Sequence, residues 1–473
     1  MATNNRWLVL LILLTAPLLS VIDIFIINVA IPAIKTGVHA SDGELQLVIA
    51  GYLLGYASFL ITGARAGDVF GRKKVFMLGM LFFTLISAAC GWAQTPLQLN
   101  IARFFQGIAA AFMVPQTISY IQVLFPEKEE RTKAVGLFGI VTGMAAIVGQ
   151  FLGGYFSELQ VSFGGWRFIF FINLPLGLIA LYTAKRYLKE TPIKESSFDM
   201  PGVAILTTAL ILLIYPLVQG RESGWPWWSK LSIVASFALL GYFVTHQKKK
   251  LKNGGNPLIH AALFSYKDFN LALLAVFFFF MEHTSYLLIS TVYLQEGLGI
   301  HPASAGKVFV FLGVGYTLSS ILSVRWVINY GKVVLQWGIF ILSGALLFQF
   351  LMFSGQVQWW LIALTFTVQG IGAGMVLPSL LNMALRSIPV HHAGAASGVY
   401  STFQQTASAL GICIIGGIFF FFTGGHSEPA LMHKAFQYGI ITEIVCLFIV
   451  WVILYLLPEA GKSKAKEYVV LAE

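Results

Sequence analysis

Asp23 and Glu282 each fall close to the middle of a long apolar run. A carboxylate facing lipid at that depth is expensive, so both side chains are expected to face the interior of a helix bundle or a wet cavity. Desolvation favours the neutral form of a carboxyl group. An acid poised in this way can take a proton on one side of a membrane and release it on the other. It can also attract a cationic substrate, which makes proton and substrate competitors for one charge and gives a physical route to exchange. Arg103 also lies inside an apolar run, at a cost of roughly 2.5–3.5 kcal/mol at a helix centre and less near an end. The two carboxylates could instead make structural hydrogen bonds that only tie helices together, and Arg103 could snorkel to the interface.

These residues must be positioned by the runs that hold them. A bilayer core of about 30 Å needs roughly 20 apolar residues of helix. The chain offers fourteen such runs, at 8–34, 46–64, 75–93, 98–124, 134–156, 168–186, 200–219, 231–246, 270–295, 304–325, 335–354, 358–384, 396–422 and 436–457. Hydrophobic residues make up 57% of the sequence and charged residues 11%, against about 25% charged in soluble proteins. An all-α integral membrane protein is predicted. The formal charge of +10 is topological: most of the 30 Lys and Arg sit in alternate loops, with Arg65, Arg72, Lys73 and Lys74 after the second run and Lys248, Lys249, Lys250 and Lys252 after the eighth. This positive-inside pattern predicts that both termini are cytoplasmic, and it removes nucleic acid as the partner. Arg6 and the apolar stretch after it resemble a secretory signal, but the stretch runs on to Ile34 with no cleavage site, so a retained first span is expected.

No loop is large enough for a soluble domain, and no G-x-x-x-x-G-K-[ST] occurs, so energy must come from a gradient or a partner. No nucleophile–base or metal-ligand set stands out, which argues against an enzyme; His391 and His392 read as solvated loop residues. Cys90, Cys413 and Cys446 lie inside apolar runs without paired spacing, so neither disulfide nor zinc is implied. The longest polar stretches, 187–199 and 247–269, bracket the seventh and eighth runs. The expected division is a six-helix bundle over 1–190, a linker with two extra spans over 191–262, a second six-helix bundle over 263–460 and a tail over 461–473. Two bundles facing each other suit a rocking carrier with its site near the midplane. Gly51/Gly55, Gly139/Gly143, Gly149/Gly153 and Gly370/Gly374 recur at four-residue spacing, which lets helices approach closely in lipid.

Several stretches carry a family likeness. Gly67-Asp68-Val69-Phe70-Gly71-Arg72-Lys73-Lys74, after the second run, resembles the loop signature of the major facilitator superfamily, with Val69 where a basic residue is usual. Arg103-Phe104-Phe105-Gln106-Gly107 resembles the family's second motif. Gly139, Gly143, Gly149-Gln150-Phe151-Leu152-Gly153-Gly154 resembles its antiport motif, with Gln150 where Pro is the hallmark. Asp23 to Ile34 and Trp166 to Gly177 are similar to signatures of the fourteen-helix drug:proton antiporter branch, as are Tyr293-Leu294-Gln295 and the Gly370–Gly374 run with Pro378.

The resemblance implies a major facilitator fold of 14 helices as 6 + 2 + 6, in which runs one, four, nine and twelve line the cavity. Asp23, Arg103 and Glu282 fall on three of these. It implies export of lipophilic, often cationic compounds in exchange for protons, across a bacterial inner or plasma membrane and without a cofactor. Asp23 and Glu282 would be the protonatable sites, Arg103 their tuner, and Asp68 and Arg72 with the turn at Gly71 the gate latch. Gln106, Gln116, Phe279, Phe280 and Gln369 would line the path of a small amphipathic substrate. Membrane lipids surround the chain, and a periplasmic adaptor would enter only where a second membrane must be crossed. Glu443, on a peripheral helix, reads as a packing residue. The rivals are an exporter of one endogenous metabolite, lipid or siderophore and, in another class, a receptor or scaffold on a carrier fold.

Overall fold

The computed structural model describes residues 3–190, 198–354, 357–389, 392–426 and 428–457. The tail expected over 461–473, Lys194 and His391 lie outside them. Fourteen helices long and apolar enough to cross a membrane are present among the described residues. In chain order they are α1 Thr3–Val38, α2 Asp42–Phe70, α3 Arg72–Trp92, α4 Pro96–Leu124, α5 Lys128–Ser157, α6 Gly165–Tyr187, α7 Met200–Glu222, α8 Trp227–Lys252, α9 Lys267–Val292, α10 Pro302–Tyr330, α11 Lys332–Met352, α12 Trp359–Leu385, α13 Ala393–Thr423 and α14 Pro429–Leu456. Each covers nearly all of one apolar run, and most begin two or more residues before it, because the polar flanks continue the helix into the headgroup region. α6 departs from a single run: it opens with a 3₁₀ turn over Gly165–Arg167 and is interrupted at Ile172.

Local chemistry sets the ends. Ser41 caps α2 in a capping box with Glu44, and Thr95 caps α4 with Pro96 at its first position. α2 passes to α3 through Gly71 at φ 93°, and α10 passes to α11 through Gly331 at φ 57°, conformations that glycine adopts without a Cβ penalty. Outward-facing residues such as Phe82, Trp92, Leu178 and Phe340 are exposed and apolar, as a lipid-facing surface must be.

The packing repeats. In the first six helices α1 packs on α5, α2 on α4, α3 on α4 and α3 on α6; in the last six α9 packs on α13, α10 on α12, α11 on α12 and α11 on α14. The two groups meet along α2–α13 and α5–α10, a pair of seams that a two-fold axis exchanges. No sequence repeat announces this, because apolar and small residues can satisfy the same helix contacts without matching one another. α7 leans on α2 and α13, covering one seam and leaving the other bare, while α8 packs on α7.

The seams are tight toward the face opposite the start of α1. There Gln46 Nε2 donates to Ile412 O at 2.6 Å, Gln295 Nε2 to Val29 O at 2.8 Å and Ala303 N to Glu158 Oε1 at 2.8 Å. Gly306 admits the Gln150 carbonyl so closely that an added Cβ would stand 3.0 Å from it. Toward the basic face, where α1 begins, an added Cβ at Gly136, Gly139 or Gly143 of α5 would meet nothing within 4 Å.

The hairpin α7–α8 is clamped at both ends. Arg221 Nη2 donates to Gln46 Oε1 at 2.9 Å, and Glu222 accepts from Gly43 N at 2.6 Å and Ser41 Oγ at 2.9 Å. At the basic face Asp199 caps α7 and gathers Gln247 Nε2 at 2.7 Å, Lys250 Nζ at 2.8 Å and Leu258 N at 3.1 Å. Burial pushes the Asp199 carboxyl up, but these donors outweigh it and hold it at about 2. Arg65 Nη2 of α2 donates to Pro257 O at 2.6 Å in the same region.

Candidate functional site

The charges chosen from the sequence resolve into two buried clusters, one in each six-helix group. In the first, Asp23 of α1 and Arg103 of α4 form an ion pair between Oδ2 and Nη1, with side chains 0% and 1% exposed. Snorkelling is therefore not what Arg103 does. Its Nε donates to Val48 O at 3.0 Å, and its guanidinium lies 4.4 Å from the ring centre of Tyr52 and 5.9 Å from that of Phe170, a setting that suits a delocalised cation.

Asp23 Oδ1 accepts from Gln106 Nε2 at 2.9 Å and from Asn173 Nδ2 at 3.1 Å. Gln106 Oε1 in turn accepts from Arg103 Nη1 at 2.7 Å. Asn173 also donates to Ser87 Oγ at 2.9 Å, which donates to Phe170 O at 3.0 Å. Three helices, α1, α4 and α6, therefore converge on one carboxylate, with Ser87 of α3 holding Asn173 in place. Gln106, expected to line the substrate path, is spent on this cluster. Asn173 and Ser87 were not singled out from the sequence; an amide inside the apolar Trp166–Gly177 stretch was the signal.

The antiport-like motif packs directly around the same acid. A Cβ at Gly149 would stand 2.9 Å from Ile22 O, and one at Gly153 would stand 3.1 Å from the Ile26 carbonyl carbon. These glycines bracket Asp23 on α1. Gln150 and Gly154 face the other way, onto Gly306 and Pro302 of α10. α5 is thus a continuous helix wedged between the Asp23-bearing helix and the second group, with no break at Gln150.

In the second group Glu282 of α9 is 0% exposed, and Gln369 Nε2 of α12 approaches its Oε1 at 3.5 Å. Phe279 stacks on His283 with ring centres 5.8 Å apart, and Phe280 is buried beside them. Glu282 and Asp23 are not brought together. Gln116 donates to Gly63 O at 2.8 Å and Phe112 O at 2.9 Å, inside the α2–α4 contact.

At the basic face Arg72 Nη2 pairs with Asp68 Oδ1 at 2.9 Å, and its Nη1 donates to Ser119 O at 2.9 Å. Both contacts stay within the first group. Glu190 closes the turn by accepting from Lys73 N at 3.0 Å and Lys74 N at 3.2 Å, a capping role the sequence did not advertise. An apolar cavity of about 830 Å³ lies between α7, α8 and α13, lined by residues such as Leu213, Phe237, Phe243, Phe403 and Leu410. It holds neither buried acid.

A helical chain with paired six-helix groups and charged clusters inside each is the arrangement of a carrier. The family model described as Major Facilitator Superfamily matches residues 13–267 and 271–470. This chain belongs to the major facilitator superfamily. It is a multi-pass membrane transporter and not an enzyme. Among its relatives, a probable actinorhodin transporter of Streptomyces coelicolor is 34% identical over 437 residues, covering 90% of this chain and 75% of that protein. The multidrug resistance protein Stp of Mycobacterium tuberculosis is 28% identical over 413 residues (87% and 75%). The puromycin resistance protein pur8 of Streptomyces alboniger is 29% identical over 421 residues (88% and 82%). The fold matches a bacterial homologue of the lysosomal transporter Spinster, in an inward-facing structure, with TM-score 0.70 at 17% identity over 97% of this chain and 98% of that one. It also matches the inward-open xylose transporter XylE from E. coli, with TM-score 0.65 at 14% identity over 97% and 98%.

Proposed function

We propose that this superfamily member exports lipophilic, often cationic compounds in exchange for protons, by rocking its two six-helix groups about the α2–α13 and α5–α10 seams. The observation that carries the reading is the sealed Asp23–Arg103 pair. Protonating Asp23 releases Arg103 from its counter-charge; losing the proton restores the pair. A proton thus exchanges one buried arrangement for another, and the glycine-packed wedge of α5 couples α1 to α10.

Glu282, without a cation partner among the described residues, serves as the proton- and cation-attracting site of the second group. Asp68 and Arg72 act as the latch at the basic face, which is cytoplasmic in this reading, as are both termini. The contacts sealing the opposite face and the open space around Gly136, Gly139 and Gly143 then fit a state open to the cytoplasm, ready to load a compound for export. Phe279, Phe280 and Gln369 border the substrate path once the groups move, while Gln116 stays engaged inside the first group.

The names of the relatives support the cargo class, since several are resistance proteins. One, at 34% identity, is named for a single compound, and that favours a second reading, a dedicated exporter of one metabolite on the same machinery. Purified protein in sealed vesicles with an imposed pH gradient separates the two. Uptake of several unrelated lipophilic cations with counterflow of protons supports multidrug exchange. Proton counterflow with one compound alone supports the dedicated exporter, and uptake indifferent to the gradient contradicts proton coupling.

A further inference from the structure

We propose that Glu443 of α14 and Glu282 of α9 form one proton-binding carboxyl pair, which makes Glu443 a second protonation site of the exchanger rather than a packing residue. The role in exchange rests on the proton-coupled reading above; the pair itself does not.

Both side chains are 0% exposed. Their helices pack on one another, and the two carboxyl groups lie within electrostatic reach, with Ser285 beside Glu443 and Tyr286 and Cys446 close to both acids. Both Glu443 oxygens and Glu282 Oε2 have no hydrogen-bond partner among the described residues, and Gln369 Oε1, also buried, has none either. The 3.5 Å approach of Gln369 to Glu282 Oε1 is at the limit of a hydrogen bond.

Among the described residues no compensating cation stands nearby. On the packed helices, Lys332 donates to Tyr455 O and Leu457 O and Arg386 pairs with Asp268 at 2.8 Å, while Arg103 of α4 is taken up by Asp23 of α1. His433 sits at Tyr293, and Lys434 lies more than two turns before Glu443 on α14. His283 stacks on Phe279, and Tyr286 shares hydrogen bonds with Gln349. An unpaired buried carboxylate takes up a proton in preference to remaining charged, and two in one site cannot both ionise cheaply. Bound protons supply the missing positive charge, and as coupled sites the two acids hold them jointly.

The contrast with Asp23 is chemical. Asp23 has a guanidinium and two amide donors, so its charged form is provided for. The Glu282–Glu443 pair has almost no donors, so its neutral form is.

Infrared spectroscopy of the purified full-length protein in lipid nanodiscs tests this without transport. Wild type, Glu443→Gln, Glu282→Gln and the double variant are compared at neutral pH and after alkaline titration. A protonated-carboxyl C=O band that vanishes on alkalinisation is expected in wild type, losing roughly half its intensity in each single variant and the rest in the double. If Glu443→Gln does not fold, Glu443→Asp must move the band. A band identical in wild type and Glu443→Gln overturns the proposal, as does a band that sodium ions abolish at neutral pH, which would make the pair a metal-cation site. Failure of exchange with the band intact would overturn the transport reading and leave the pair standing.

Discussion

Asp23 and Arg103, eighty positions apart in the chain, form an ion pair that bulk water does not reach. The pair spans α1 and α4, and two amides and a backbone carbonyl complete it. Breaking such a pair by removing one partner typically costs about 3–5 kcal/mol, because the survivor is left charged and buried. Arg103→Gln is therefore expected to lower stability by that amount, read as a fall in the thermal midpoint of detergent-solubilised protein. Adding Asp23→Asn to it should restore much of the loss, since the orphaned charge is then gone.

The wedge of α5 predicts an asymmetry between glycines of one motif. Gly153→Leu drives a side chain into the Ile26 backbone, and overpacking of this kind costs about 1–3 kcal/mol. Transport should fall with it. Gly139→Leu projects into open space and should change stability by less than about 0.5 kcal/mol. Expression, melting and transport of the two variants check the prediction.

The knot at Asp199 predicts an acid limit. Its carboxyl is held at about 2 against an ordinary 3.8, so the folded state favours the charged form. The stability this contributes is fully present above the ordinary value and is lost as pH falls from 3.8 toward 2. Melting curves across that window should steepen for wild type and flatten for Asp199→Asn, whose side chain cannot hold Lys250 as a counter-ion.

Arg221 and Gln46 predict a role for the extra hairpin in holding the opposite face shut. Arg221 Nη2 fixes Gln46, which crosses the seam to Ile412 O. Arg221→Ala should favour opening on that face and speed alkylation of a cysteine introduced at Val29 of α1, whose carbonyl is engaged by Gln295, just past α9 of the other six-helix group. The three native cysteines are buried, so the introduced thiol can be followed by its own rate. An unchanged rate would show that the hairpin does not hold the seam.

The fourteen helices were legible because apolar length and basic loops are set by the bilayer itself. Asp23, Arg103 and Glu282 were legible because a mid-span charge is costly enough to stand out. Their partners were not. Asn173, Ser87 and the Gln46–Arg221–Glu222 set depend on which helix faces which and in what register, and periodicity does not specify that. The same gap explains Glu443: its place on a peripheral helix suggested packing, and only the α9–α14 contact brings it to Glu282. Gln106 and Gln116 carried the right chemistry for a substrate path, but their amides are engaged inside the first group.

The most direct test is proton-driven uptake of a fluorescent lipophilic cation into inverted membrane vesicles by wild type and Asp23→Asn, with lumenal pH followed in parallel. The account predicts that wild type accumulates the dye while releasing lumenal protons, and that Asp23→Asn, folded and present in equal amount, does neither. Dye accumulation with proton release by Asp23→Asn at the wild-type rate would contradict it, and would reduce the Asp23–Arg103 pair to a brace between helices.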